Sequence, residues 1–180
     1  MTVVEVVEPA AAADAGLVGR LAGLVNRVYA VAEDGLWADG WARTSAPDMA
    51  GLVAAGEIAV ARDGDLDGDV VGIVRVHDLD HEVGEFGMLA TEPAHRGAGI
   101  GRDLVDFAED RCRGQGRNVM QLELLVPRGW VHPGKASLDA WYTRLGYRPV
   151  RTGVVAVAHP QLAPFLATPC DVVTYHKPLA

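Results

Sequence analysis

The 180-residue sequence is short of the features that mark several classes of protein. Its two cysteines are too few for the disulfide framework of a small secreted domain. No apolar run approaches the roughly 18 residues needed to span a bilayer, and the opening MTVVEVVEPA lacks the basic and long apolar regions of a secretion signal. Basic residues are also scarce, 16 against 24 acidic, for a net charge of −8. The electrostatic footprint of a nucleic-acid binder is therefore missing. These deficits predict a cytoplasmic protein with neither nucleic acid nor membrane as partner. Cys112 shares an apolar helix face with Leu104, Val105 and Ala108, and Cys170 opens a strand-like run. Both read as buried structural thiols.

What is present is a chain 49% hydrophobic, of a size expected to fold as one domain over residues 1–180. Residues 2–8 read as a strand ended by Pro9, and residues 10–32 carry helical spacing at Leu17, Leu21, Leu24, Val25 and Val28. A turn-rich stretch with two tryptophans leads to a short helix with Pro47 in its first turn. Three β-rich runs, 57–63, 69–79 and 81–91, form an antiparallel meander. Then come a helix over 99–114, a strand over 118–126 and a helix over 136–145 ended by Gly146. Strands over 147–157 and 170–177 complete the order. The later strand–helix–strand units favour parallel pairing, giving an α/β fold with helices around one mixed sheet.

Two acidic clusters suggest metal ligands and are set aside. Asp63 to Asp69 copies the opening of a calcium loop, but its twelfth place holds Val74 instead of a bidentate glutamate, and it joins strands. HDLDHE, residues 77–82, has no second ligand cluster beside it. No metal is expected.

The stretch HRGAGIGRDLVDFAEDR places Gly97, Gly99 and Gly101 between a strand and a helix start. There, backbone N–H groups converge on an anion unobstructed by Cβ atoms, and the helix dipole adds about half a positive charge. A dinucleotide fingerprint starting at Gly97 would need glycine or alanine where Arg102 stands, and no Gly-Lys-Ser/Thr of a Walker loop is present. The run from Arg96 through Gly97, Ala98, Gly99 and Ile100 to Gly101 does fit Arg/Gln-x-x-Gly-x-Gly/Ala. It resembles the pyrophosphate-binding motif of the GNAT superfamily of acyl-CoA-dependent N-acetyltransferases. EFGMLATEPAHRG is similar to the family's fourth strand and its exit loop, and WYTRLGYRPV to its tyrosine-bearing helix and following Leu-Gly-aromatic.

The resemblance implies a mostly antiparallel central sheet of about seven strands flanked by helices, and acetyl-CoA as cosubstrate. It implies that the backbone of Leu89, Ala90 and Thr91 holds the pantetheine arm, with a Leu89 or Ala90 N–H directed at the thioester carbonyl. Arg96 and Arg102 are candidate phosphate contacts. Glu85 is the candidate general base; it lies four residues before Leu89, so the strand period puts both on one face, with a solvated or substrate-binding carboxylate as the alternative. Tyr142 matches the tyrosine beside the coenzyme sulfur and is the candidate acid, although an aromatic there also suits a core. Where the family often has Asn-x-x-Ala, this chain has Lys135 and Leu138, and Lys135 is the candidate to reach a phosphate or the pantetheine. Trp37, Trp41 and Arg43 fall where the family builds its acceptor pocket, and Arg43 suits an acceptor carboxylate. The acceptor is then a small-molecule or peptide amine. A module that binds acyl-CoA without turnover is the alternative, and a homodimer stays open.

Overall fold

A computed structural model describes residues 2–179. Seven strands form one sheet: β1 (Thr2–Val6), β2 (Ile58–Asp63), β3 (Val70–Asp78), β4 (Val83–Thr91), β5 (Val119–Pro127), β6 (Arg148–Val154) and β7 (Cys170–Pro178). Their spatial order is β1-β2-β3-β4-β5-β7-β6. The helices are α1 (Ala15–Ala32), α2 (Ala46–Ala54), α3 (Ile100–Gly114), α4 (Pro133–Arg144) and the single turn α5 (Val155–Ala158).

Several boundaries differ from the expected ones for local reasons. The first helical stretch breaks at Asp14, whose side chain accepts the Leu17 N–H at 3.0 Å and caps α1. The helix α4 starts three residues early because Pro133 suits its first turn and His132 Nδ1 accepts the N–H groups of Gly134 and Lys135. The strand expected over 147–157 stops at Val154, and Val155 turns inward to join Leu36, Cys170 and Val172 in a small apolar cluster.

Parallel pairing is confined to one place. Only β4 and β5 run parallel; β7 enters between β5 and β6 and pairs antiparallel with both. The second half is thus more antiparallel than the strand–helix alternation predicts.

The helices α1 and α2 cover one face of the sheet, with Leu21, Val25, Met49 and Val53 packed on Ile58, Val60, Ile73 and Ala90. On the other face, Ile100, Leu104, Val105, Ala108 and Cys112 of α3 pack on Val74, Val76, Phe86 and Met120. Gly84 allows the close approach of α3, since a Cβ there would lie 2.4 Å from Cys112 Sγ.

Two irregularities open the sheet near its middle. β4 and β5 are in register only from Val83–Val119 to Glu85–Gln121, and no ladder partner on β5 exists for β4 beyond Glu85. Opposite β3, the register slips between Ile73↔Ala90 and Arg75↔Gly87, so β4 holds one extra residue. Met88 carries the positive φ of 49° at this bulge.

Candidate active site

The bulge corrects the expectation that Glu85 and Leu89 share a face. Phe86 and Leu89 pack on the α3 side, whereas Met88 and Ala90 pack with α1 and α2. An extra residue inverts the strand alternation. Glu85 therefore sits on the α1 side while Leu89 faces the other, and the two flank the opening between β4 and β5.

That opening leads into a cleft of about 1570 Å³. The expected residues Glu85, Leu89, Ala90, Thr91, Arg96, Gly97, Gly99, Ile100, Gly101, Arg102, Lys135, Tyr142, Trp37 and Arg43 all line it. Ala98 and Trp41 do not: the Ala98 N–H turns back to the His95 carbonyl at 3.2 Å, and Trp41 stacks on Trp37 with ring centroids 3.7 Å apart.

At the glycine turn, Gly97 and Gly99 have φ of 84° and 88°, a region that other residues enter only with strain. Gly99 is the N-cap of α3 and offers no side chain to its first turn. Among the described residues, the N–H groups of Gly97, Gly99, Ile100 and Gly101 find no acceptor. They form a cluster of donors at a helix N-terminus, which suits an anion. Arg96 is exposed beside it, and the exposed Arg102 lies 3.6 Å from Asp106.

On the opposite wall, Glu85 is held by Gln121 and has His77 beside it. Gln121 Nε2 donates to Glu85 Oε2 at 2.6 Å, and His77 Nε2 lies 3.6 Å from Oε1. Gln121 Oε1 is in turn 2.8 Å from His176 Nε2, which fixes the amide so that its NH₂ faces Glu85. Burial, aided by the Arg75 charge, pushes the His77 imidazole below its ordinary value, so it is neutral at pH 7.

Tyr142 is 6% exposed. Its ring lies 5.0 Å from that of Trp141 and 6.0 Å from those of Phe86 and Tyr147. Burial pushes its phenol far up, which keeps the proton on. Among the described residues its hydroxyl has no hydrogen-bond partner.

Lys135 departs from expectation. It is 5% exposed, and its Nζ donates to Glu33 Oε1 at 2.5 Å. Glu33 Oε2 accepts from Trp37 Nε1 at 2.6 Å. The lysine is thus committed to a buried carboxylate at the end of α1 instead of being free for a phosphate, because an unpaired buried charge is costly on either partner.

The sequence did not single out Glu33, Gln121, Glu123 or His159, and it raised His77 only within the acidic stretch set aside as a metal site. Glu123 lies two residues after Gln121 on the same face of β5, and its Oε2 is 2.6 Å from His159 Nε2 inside the cleft. The strand period places Glu123 beside the opening; nothing in the sequence pairs it with a histidine 36 positions on. The acidic segments set aside earlier form connections: residues 63–69 join β2 to β3, and Asp80 Oδ1 accepts the N–H groups of Glu82 and Val83 in the turn before β4. No helix is long and apolar enough to cross a membrane among the described residues.

A family model described as acetyltransferase (GNAT) domain matches residues 54–149. No curated protein gives a significant sequence match. Among solved structures, the fold is similar to yncA from Salmonella typhimurium, solved with its cofactor acetyl-CoA, at TM-score 0.65 and 16% identity over 100% of this chain and 95% of that one. It is also similar to Rv2747 from Mycobacterium tuberculosis, solved with CoA, at TM-score 0.64 and 17% identity over 99% of both chains. A chain of the NatC complex bound to Gag peptide and CoA matches at TM-score 0.68 and 16% identity, again over 99% of both.

Proposed function

The chain belongs to the acetyltransferase (GNAT) family, whose model spans more than half of it, and from that premise we propose an N-acetyltransferase that moves an acetyl group from acetyl-CoA to a primary amine. The observation that carries this reading is the conjunction of four unpaired amides at the glycine turn with an unpaired strand edge leading from it to Glu85. A diphosphate fits the former and an extended pantetheine arm the latter, as an added strand fits a sheet edge. The N–H groups of Gly97, Gly99, Ile100 and Gly101, with Arg96 and Arg102, hold the diphosphate, and the backbone of Leu89, Ala90 and Thr91 holds the arm. Bound acetyl-CoA supplies an activated acyl thioester. A Leu89 or Ala90 N–H donates to the thioester carbonyl, a type of contact whose loss raises a barrier by about 3 to 4 kcal/mol.

A primary amine has a pKa near 10 and reaches the site as an ammonium. Glu85 Oε1, the oxygen not engaged by Gln121, takes its proton directly or through water. Gln121, itself fixed by His176, keeps that carboxylate aimed at the opening. The freed amine attacks the thioester carbonyl to form the C–N bond. As the C–S bond breaks, Tyr142, buried and protonated, donates from its hydroxyl to the departing sulfur, and the second proton lost by the nitrogen returns to Tyr142. No step needs a metal. Acceptors of this class are small molecules or peptides that carry a free amine.

Thiol release from acetyl-CoA across a panel of amines tests the proposal. Glu85→Gln is expected to lower kcat by roughly 100-fold or more, and Tyr142→Phe to lower it less. Both are expected to bind acetyl-CoA as the wild type does. A wild type that binds acetyl-CoA but turns over no amine would support the non-catalytic acyl-CoA module instead.

A further inference from the structure

The cleft continues into a side pocket of about 450 Å³ between β3, β4 and the start of α2, and the two share Arg43, Arg75 and Met88. In a chain of net charge −8, this pocket is unusual in holding two guanidinium groups. Arg75 is already matched, its Nε donating to Glu57 Oε2 at 2.7 Å. Arg43 is not. It makes no salt bridge among the described residues, and its buried Nε finds no acceptor. A guanidinium keeps its charge at any physiological pH and presents a fork shaped for a carboxylate.

The position of Arg43 is fixed by its neighbours. Asn26 on α1 clamps the backbone of Thr44 twice, donating to the Thr44 carbonyl at 2.9 Å and accepting the Thr44 N–H at 3.0 Å. The Arg43 guanidinium lies over the Tyr29 ring, 5.2 Å from its centroid. The nearby carboxylates are otherwise engaged: Asp48 accepts from Ser45 Oγ at 2.6 Å, and Glu33 is held by Lys135 and Trp37. An arginine pre-positioned in this way and lacking an internal anion is suited to receive one from a ligand.

Resting on the acetyl-transfer reading above, we propose that the acceptor is a small amine that also carries a carboxylate, of the amino-acid class, with Arg43 gripping the carboxylate while the amine lies at Glu85. Arg43 lines both the side pocket and the cleft that holds Glu85, and along β3 Arg75 at the side pocket stands two residues from His77, the register partner of Glu85.

The test compares thiol release from acetyl-CoA with α-amino acids and ω-amino acids, each beside its own carboxamide. Wild type is expected to prefer the acid over its carboxamide in kcat/KM by at least roughly tenfold, with the difference mainly in KM. The α and ω arms identify which spacing is used. In Arg43→Gln the acid-to-carboxamide ratio is expected to collapse toward one, and Arg43→Lys to restore part of it, as a charge without the fork would. A wild type that acetylates carboxamides as well as acids overturns this inference and leaves the acetyl-transfer reading standing; so does an Arg43→Gln variant that keeps the wild-type ratio. Absence of turnover with every acid and every carboxamide overturns this inference, and the acetyl-transfer reading falls with it only when the wider amine panel is inert too.

Discussion

Glu85 and Tyr142 stand out in the sequence because each falls inside a motif with fixed spacing, whereas the groups that hold Glu85 come from elsewhere. Gln121 is the one that binds it, and His77 lies beside it, 3.6 Å from Oε1. Burial first, and the Arg75 charge second, lower the pKa of His77 below the ordinary 6.5, against the opposing charges of Glu85, Glu57 and Asp78. Below about pH 6.5 the unfolded chain therefore binds a proton that the folded chain refuses. Stability falls as pH drops through this window, until folded His77 is protonated too. Urea titrations between pH 7.5 and 5, roughly the range over which a histidine titrates, are expected to show a steeper loss for wild type than for His77→Gln. Parallel profiles would contradict this. The Lys135–Glu33 pair was illegible for a different reason: its partners lie 102 positions apart, and only the tertiary fold joins them. Both side chains are 6% exposed, so Lys135→Met leaves a buried carboxylate unpaired. A loss of about 3 to 5 kcal/mol in chemical denaturation is expected, and a loss under 1 kcal/mol would show the pair to be expendable.

At the scale of elements, helices and strands were legible wherever periodicity and punctuation agreed. The glycine turn opening α3, the Gly146 stop after α4 and the meander of β2, β3 and β4 follow from local chemistry. Pairing across the sheet was not legible in the same way. Strand–helix alternation suggests parallel neighbours, yet β7 inserts beside β5, and only a long-range register determines that. The bulge at Met88 was hidden as well, because nothing in the residue type announces a left-handed backbone at a methionine. It nevertheless decides which face Glu85 and Leu89 present. The packing of α3 on the sheet gives a sharper test: Gly84→Ala sets a methyl group against the Cys112 side chain. We expect a loss of about 1 to 3 kcal/mol, and Cys112→Ala is expected to relieve part of it in the double variant. Additive effects would place the strain elsewhere.

Across the whole molecule, the core is divided by the sheet. The helices α1 and α2 seal one face and α3 the other, while α4 buries only Lys135 and Tyr142 and borders the cleft. The cleft therefore lies where β4 and β5 separate, between a helix N-terminus rich in free amides and a wall of carboxylates, imidazoles and one uncompensated arginine. Sequence motifs indicated the first of these walls and, on the second, Glu85, Trp37 and Arg43; their neighbours Gln121, Glu123 and His159 come from β5 and the segment after β6 and so became visible only in three dimensions. The central claim is that the glycine turn grips the diphosphate of CoA. Calorimetric titration of acetyl-CoA and of free CoA into folded wild type and Gly99→Val tests it most directly. Wild type is expected to bind both at one site per chain, and the valine, forced to φ 88° or to a displaced turn, to bind at least roughly tenfold more weakly. Absence of binding heat with either ligand, or equal affinity in the variant, would contradict the account.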